Sequence, residues 1–499
     1  MVEFEGQQPI DLDLLERLRS IFESYQEDVY LVGGAVRDLF LHRQINDLDF
    51  TVTKKAIRLT FLVADTLGYP AYILDQERDA GRVILADKGI TIDFAAFRKD
   101  TLVEDLRLRD FTINAMALPS LEFDKNHIID PYGGLEDLAL NIIRPTSDEV
   151  ISSDPLRALR AVRFSAELDF SLSQEVEELI KSHRLLLRDV SGERIRDELV
   201  RIVNSPRPVE GLESLGTLGL YPFFSLGNEP SVEVEGWAHP EHDGVFRAAN
   251  LFPSVKKVDS WLLGEDGLEG ERLRLAAEVI QPIKQELVHY FDREVEGGLN
   301  GWTILKLGAL FTSINHAFDH DLTRIHQASK VDGKKNQDPV SNFVRGQLKV
   351  LRLSRAAQQQ ILAIIIGSHR PLQTAIDHLN SRRDIYKYYR GNQPAGVDIA
   401  WLSIASALAE KLDVTNPLFF SKLISTVGTL LFSYFRHYDE IIKPVPVIKG
   451  TELIKELNLE PGPDIGHILD QIVEGQAAGD IENQGEALNL ARHYLRNIR

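Results

Sequence analysis

Cysteine is absent from the 499 residues. Its absence excludes disulfide frameworks, cysteine zinc sites, iron–sulfur clusters and cysteine nucleophiles, and it agrees with a reducing compartment. Long hydrophobic runs are missing as well. The best stretch, LSRAAQQQILAIIIGSH, is broken by glutamines and falls short of the roughly 18 apolar residues a spanning helix needs. The opening MVEFEGQQPIDLDLLERL is acidic and has no apolar stretch, so no signal peptide is expected. Basic charge is scarce: 56 Lys and Arg against 75 Asp and Glu give a net charge of −19. That disfavours a blanket coat for nucleic acid or an anionic membrane, but it leaves room for a local basic groove on an acidic body. A soluble intracellular protein is expected.

What is present is ordinary for a globular chain: 43% hydrophobic and 26% charged residues. At roughly 150 residues per domain, the length suggests about three domains. Two textures divide it. Up to about residue 145, β-type runs alternate with helical ones. Val29–Val32 and Asp47–Val52 read as strands, 35–42 and 54–67 as helices, and 71–74 as a strand. Residues 82–85 and 91–94 read as a hairpin about Lys88-Gly89. Beyond about residue 150 the apolar spacing is helical almost throughout. Residues 226–243 and 329–339 read as loops. The pattern is an α/β head on a long helical body.

The chemistry-bearing residues sit in the head. LVGGAVRDLF (31–40) runs a strand through Gly33-Gly34 into a helix, and such a turn lets a phosphate approach the backbone. It is also a common plain connection. In Asp47-Leu48-Asp49 the two acids point to the same side of a strand and repel unless a cation lies between them. Hard oxygen ligands of this kind suit Mg2+ bound together with substrate phosphates. Combined, the turn, the Arg37-Asp38 pair on the helix and the DxD strand supply both halves of a nucleotidyl-transfer site. Asp93 is the candidate third carboxylate.

Further motifs follow in order: LRDFTINAMA (108–117), DPYGGLEDL (130–138), DPLRALRAVRF (154–164), SGERIRDEL (191–199) and PGPDIGHILDQI (461–472). With GGAVRD (33–38) and DLDF (47–50), the set resembles the bacterial class II tRNA nucleotidyltransferase/poly(A) polymerase family over nearly the whole chain. The resemblance implies an α+β fold. A polymerase-β-like head (1–147) would be followed by a base-selecting helical neck (148–225), a helical RNA-binding body (226–440) and a tRNA-binding tail (441–499).

The resemblance makes Asp47 and Asp49 magnesium ligands and places Gly33, Gly34 and Arg37 at the triphosphate. Arg109, Asp110 and Asn114 would line ribose and phosphates, although Leu108 stands where the family usually has a first Arg, with Arg107 as its substitute. In the neck the leading Glu of the usual motif is Ser153. Asp154 and Arg157, read as neighbours on one helical face, would present an acceptor and donors to a base edge and so favour CTP and ATP over UTP and GTP. Arg160 and Arg163 would extend a basic ridge.

Glu193, Arg194 and Arg196 read as neck braces. The metal-binding His-Asp pattern of some relatives is replaced by Arg247-Ala248 and Thr312-Ser313, so His239, His242 and Asp243 read as loop residues without phosphohydrolase activity. Lys334, Lys335, Arg345, Lys349, Arg352 and Arg355 form the densest basic stretch.

The expected activity is Mg2+-dependent addition of CMP and/or AMP to a tRNA 3′ end, from CTP and ATP, with no membrane involved. Two features bear on its extent. Relatives that add the full CCA carry a longer loop before the RDF motif, whereas here only about five residues remain, too short for a flexible lever. A CC-adding or A-adding enzyme, working with a complementary enzyme in the same cell, stands beside full CCA addition. The sequence is also compatible with a poly(A) polymerase and, more remotely, with a catalytically silent RNA-binding protein.

Overall fold

The computed structural model describes residues 11–121, 125–220, 255, 258–259, 262, 271–312, 345–346, 348–367, 381–409 and 417–498. The chain divides into two compact units. One comprises residues 1–194 with 205–207 and 218–220, and the other the remainder.

The first unit is built on a six-stranded sheet of order β3-β4-β5-β2-β1-β6. Its strands are β1 (Val29–Val32), β2 (Asp47–Val52), β3 (Ala71–Asp75), β4 (Ala80–Leu85), β5 (Ile90–Ala96) and β6 (Ala117–Pro119). Within this sheet only β2 and β5 pair in parallel. The helix α3 (Ala56–Leu67) packs on β3, β4 and β5. Its first turn is capped from outside, because the Asp79 carboxylate accepts the N–H groups of Ala56 and Ile57 at 2.8 and 2.9 Å. Gly81 lets strand and helix touch: a Cβ there would lie 2.6 Å from Thr60 Oγ1. Below the sheet, Phe50 stacks on Phe94 at 5.3 Å, and Phe22 of α1 (Leu12–Glu23) meets Phe50 edge-on at 5.2 Å. Burying such rings contributes roughly 1.5–3 kcal/mol each.

The expected elements fall close to the observed ones. β2 spans 47–52 as read, and the hairpin places Leu85 opposite Ile90. The helix after the glycine turn, α2 (Gly34–Phe40), ends two residues earlier than expected because Leu41 and His42 leave the helix, His42 with φ +54°. Beyond α4 (Leu102–Arg107) and α5 (Gly134–Leu140) the first unit turns helical, with α6 (Val150–Ser153), α7 (Arg157–Leu168) and α8 (Gln174–His183). The chain past residue 150 is helical almost throughout, as expected, apart from two small pairings, Ile142–Ile143 with Ser171–Leu172 and Glu294–Glu296 with Leu299–Asn300. Next come α9 (Gly192–Val203) and α10 (Pro208–Thr217).

The described part of the second unit is largely helical. PGPDIGHILDQI supplies most of the helix Pro463–Ala478, whose Ile465, Ile468 and Ile472 pack with Leu453, Ile481 and Ala487 in a core of their own. One stretch, Leu418–Arg436, is long and apolar enough to cross a membrane by length and composition. Its Leu423, Ile424, Val427, Leu430 and Leu431 are buried among neighbouring helices, as in a core helix of a globular fold. The fold is α+β: a mixed sheet followed by helices.

Candidate active site

The glycine turn is sterically required at one of its two positions. Gly33 has φ +71° and ψ −137°, a region L side chains rarely occupy, and a Cβ on it would meet Arg109 Nη1 at 2.8 Å. Gly34 is the first helical residue, where a Cβ would make only an ordinary contact, 3.5 Å from Arg37. Arg109 therefore lies against the turn, and its Nε is buried without a hydrogen-bond partner. Burial pushes the Arg109 guanidinium below its ordinary range, while Asp105 and Asp49 act to raise it.

Register brings the acids together. Val32 pairs with Asp49 across β1 and β2, and Asp49 pairs with Asp93 across β2 and β5. Asp47 is exposed at the start of β2 and accepts the Thr91 hydroxyl. Asp49 is partly buried. Burial pushes its carboxyl above the usual range, Asp93 and Asp47 push the same way, and Arg109 opposes them. A carboxylate strained in this way fits a divalent cation at the DxD pair, since such an ion would remove the repulsion.

Asp93 departs from expectation. Arg82 donates Nε and Nη2 to its two carboxylate oxygens at 2.6 and 2.7 Å. Both oxygens of the expected third carboxylate are thus engaged by a cation, and among the described residues no cluster of three acids or histidines could hold a metal. The hairpin register carries this pairing: with 85 opposite 90, 82 lies opposite 93. Arg82 is a residue that the reading of motifs alone missed.

The RDF motif forms a buried polar chain. Asp110 accepts Arg160 Nε and Nη2 at 2.8 and 2.5 Å, together with Asn114 Nδ2 and the Phe111 N–H. Burial alone would raise the Asp110 carboxyl, but Arg160 and these hydrogen bonds outweigh it and hold it below its ordinary value. Asn114 Oδ1 accepts Arg37 Nη1 at 2.8 Å, and the remaining Arg37 donors reach Asp38. Arg37, Arg160 and Arg163 surround the buried Phe164 ring with guanidinium carbons 5.1, 5.4 and 4.1 Å from its centroid. Phe164 had no assigned role in the sequence.

Arg163 does not extend a ridge. It is 5% exposed and paired with Glu167 at 2.9 Å, because its position on α7 faces the core. Arg107 is exposed at the end of α4. The DPYGGLEDL motif is scaffolding. Asp130 accepts the Gly134 and Leu135 N–H groups, Asp137 accepts the Thr112 hydroxyl, and a Cβ on Gly134 would lie 2.4 Å from the Thr112 carbonyl oxygen.

Asp154 and Arg157 do not share a helical face. Asp154 is extended (φ −147°, ψ 98°) between α6 and α7, and Arg157 opens α7. The preceding turn through Pro155 separates them. Arg157 donates to the carbonyl oxygens of Leu108 and Val150 at 2.6 and 3.3 Å, whereas Asp154 accepts Arg194 Nη2 at 2.9 Å. The neck brace expected of Arg194 is present, and it bears on Asp154 itself. Arg196 bonds Asp197 and the Arg352 carbonyl. His239, His242, Asp243, Arg247, Ala248, Ser313, Lys334 and Lys335 lie outside the described residues. Thr312 is buried and donates to the Gly308 carbonyl, so it is no metal ligand there.

A mixed sheet carrying a glycine turn and an adjoining DxD strand defines a nucleotidyltransferase. Comparison with known proteins agrees. A model of the poly(A) polymerase head domain matches 29–102 and 95–144, one of a probable RNA- and SrmB-binding site of polymerase A matches 169–226, and one of a tRNA nucleotidyltransferase domain matches 440–491. A CC-adding tRNA nucleotidyltransferase of Synechocystis is 27% identical over 99% of this chain and 97% of its own. One of Geobacter sulfurreducens is 42% identical over 38% of this chain, a match covering 44% of that relative. The solved complex of a CCA-adding enzyme with ATP shares the fold, with TM-score 0.63, 20% identity and coverage of 98% and 97%. The head, the segment after it and the C-terminal segment thus each match a model from poly(A) polymerases or tRNA nucleotidyltransferases, and the chain is similar along nearly its whole length to a tRNA nucleotidyltransferase.

Proposed function

We infer that this protein adds CMP and/or AMP to the 3′ end of tRNA in the cytoplasm, using CTP and ATP and releasing pyrophosphate. The observation that carries the reading is the DxD pair on β2: Asp49, strained by burial and by its acidic neighbours, lies beside a glycine turn and a buried arginine with an unused donor. Asp47 and Asp49 would hold Mg2+, which when bound supplies charge neutralisation at the phosphates. The terminal ribose 3′-hydroxyl attacks the α-phosphorus, a P–O bond forms to it, and the bond to pyrophosphate breaks.

Gly33 lets the backbone approach the triphosphate. The Arg109 guanidinium lies against the same turn through Nη1, and such a fork suits a phosphate oxygen. Asp110 and Asn114 orient Arg160 and Arg37 rather than touching phosphate themselves. Asp154 and Arg157 read the base edge. In this division of labour residues 1–147 catalyse, 148–225 choose the base, and 226–440 and 441–499 hold the tRNA.

A partial enzyme is favoured by the connection after β5. β5 ends at Ala96 and α4 begins at Leu102. Thr101 and Glu104 cap each other reciprocally, and the Arg98 N–H bonds Asp105 Oδ1 at 2.9 Å. A segment so tied is a poor lever for switching between CTP and ATP. The Synechocystis and Geobacter relatives are both named CC-adding enzymes, which supports CC addition, with a complementary A-adding enzyme in the same cell.

The test uses tRNAs ending at the discriminator base, at C and at CC, each with CTP, ATP or both. Arrest after two C residues is expected, and full CCA synthesis on the shortest tRNA would refute the partial enzyme. In the same assay Asp47→Ala and Asp49→Ala should remove incorporation while tRNA binding persists. Activity within about tenfold of wild type, only ~1.4 kcal/mol of barrier, would sink the DxD assignment.

A further inference from the structure

The base-reading pair holds two opposite charges that are close yet unbridged. Asp154 Oδ1 accepts the Leu156 N–H at 3.3 Å, and its Oδ2 accepts Arg194 Nη2 at 2.9 Å. Arg157 spends its donors on the carbonyl oxygens of Leu108 and Val150 and on Ser153 Oγ. The Arg157 N–H bonds the Asp154 carbonyl oxygen at 3.0 Å, but among the described residues no hydrogen bond joins the Asp154 carboxylate to the Arg157 guanidinium, although the two charges attract. Asp154 is in extended backbone, outside both flanking helices, so no helical turn restrains its side chain. The hold on its outer oxygen comes from α9, forty residues further on.

An ionised carboxylate offers about four acceptor positions. Leu156 and Arg194 use one on each oxygen, which leaves acceptor capacity on both. Were Arg194 missing, the carboxylate would be free to swing onto Arg157, and one ion pair would then consume the acceptor and the donors that the base needs.

We propose that Arg194 is a specificity-determining positioning residue. It holds the Asp154 carboxylate away from Arg157, so that Asp154 meets the amino group of the incoming base while Arg157 meets its ring acceptors. The proposal rests on the reading of Asp154 and Arg157 as the base template. It goes beyond a brace, because a surface ion pair between half-exposed groups would by itself add little stability.

The experiment measures kcat/KM for CTP, ATP, UTP and GTP on tRNA with wild type, Arg194→Ala, Arg194→Gln, Arg194→Lys and Asp154→Ala, alongside thermal unfolding of each. Arg194→Ala and Arg194→Gln should lose about tenfold of the preference for CTP or ATP over UTP and GTP, the effect of one misplaced hydrogen bond. The loss should lie mainly in KM for the matched nucleotide, and Arg194→Lys should restore most of it. Adding Arg194→Ala to Asp154→Ala should change discrimination no further. Equal losses on all four nucleotides, or unchanged discrimination in a folded Arg194→Gln protein, would overturn the proposal. If Asp154→Ala relaxes base choice and the Arg194 variants do not, the template survives and only the role of Arg194 falls. If Asp154→Ala changes nothing, the template falls and this proposal with it.

Discussion

Gly33 shows how much one position can carry. It takes a backbone conformation that side chains avoid, and it leaves the space that Arg109 Nη1 fills. Gly33→Ala adds strain of roughly 1–3 kcal/mol and pushes Arg109 aside. Because both effects fall on the turn, kcat/KM should drop about a hundredfold, as ~2.7 kcal/mol of barrier would, while the melting temperature falls by only a few degrees. Gly34→Ala is the control, since its Cβ would meet only an ordinary contact. Equal activity of the two variants in a single-nucleotide incorporation assay would remove Gly33 from the site. GGAVRD marked both glycines as equals; the backbone angle and a side chain 76 residues away distinguish them.

The elements around the RDF motif are joined by charge as well as by packing. α7 presents Arg160 to Asp110, α2 presents Arg37 to Asn114, and Phe164 fills the space between the guanidinium groups. The Asp110 carboxyl lies below its ordinary value in the fold. A depressed carboxyl contributes stability above its unfolded pKa of about 3.9 and loses that contribution as pH falls through the folded value. Asp110→Asn should therefore flatten the acid limb of the stability profile below about pH 4, measured by denaturant unfolding at several pH values. At neutral pH it should cost no more than about 3 kcal/mol, the low end for a buried pair that loses a partner, because Arg160 remains 32% exposed. An unchanged acid limb would mean that the pair forms in the unfolded chain too, or contributes nothing. The motif pointed to these residues as ligands, whereas in the fold they mostly hold one another.

For the molecule as a whole, the conflict is between a net charge of −19 and a polyanionic partner. The helical part offers a remedy in Arg345, Lys349, Arg352 and Arg355, all exposed. Binding through a few such contacts releases counterions, so tRNA affinity should fall at least about tenfold between 50 and 200 mM salt, read by filter binding or anisotropy. Substituting Lys349 and Arg355 by Ala should make the dependence shallower. A flat salt response would place the tRNA on contacts of another kind.

The strands, the glycine turn and the DxD pair were legible along the chain because each depends on near neighbours: period-two alternation, a turn residue, two acids at i and i+2. The family resemblance was legible for the same reason, since its motifs are short and ordered. Pairings between distant segments were decided only by the tertiary fold. Arg82 takes both oxygens of Asp93, Arg194 takes Asp154, and Arg163 turns inward to Glu167. Asp154 and Arg157 leave a shared helical face because the chain turns between them at Pro155. Spacing along a chain says which groups can meet on one element, but a charge is neutralised by whatever the fold brings within about 3 Å, and that distance is set by packing.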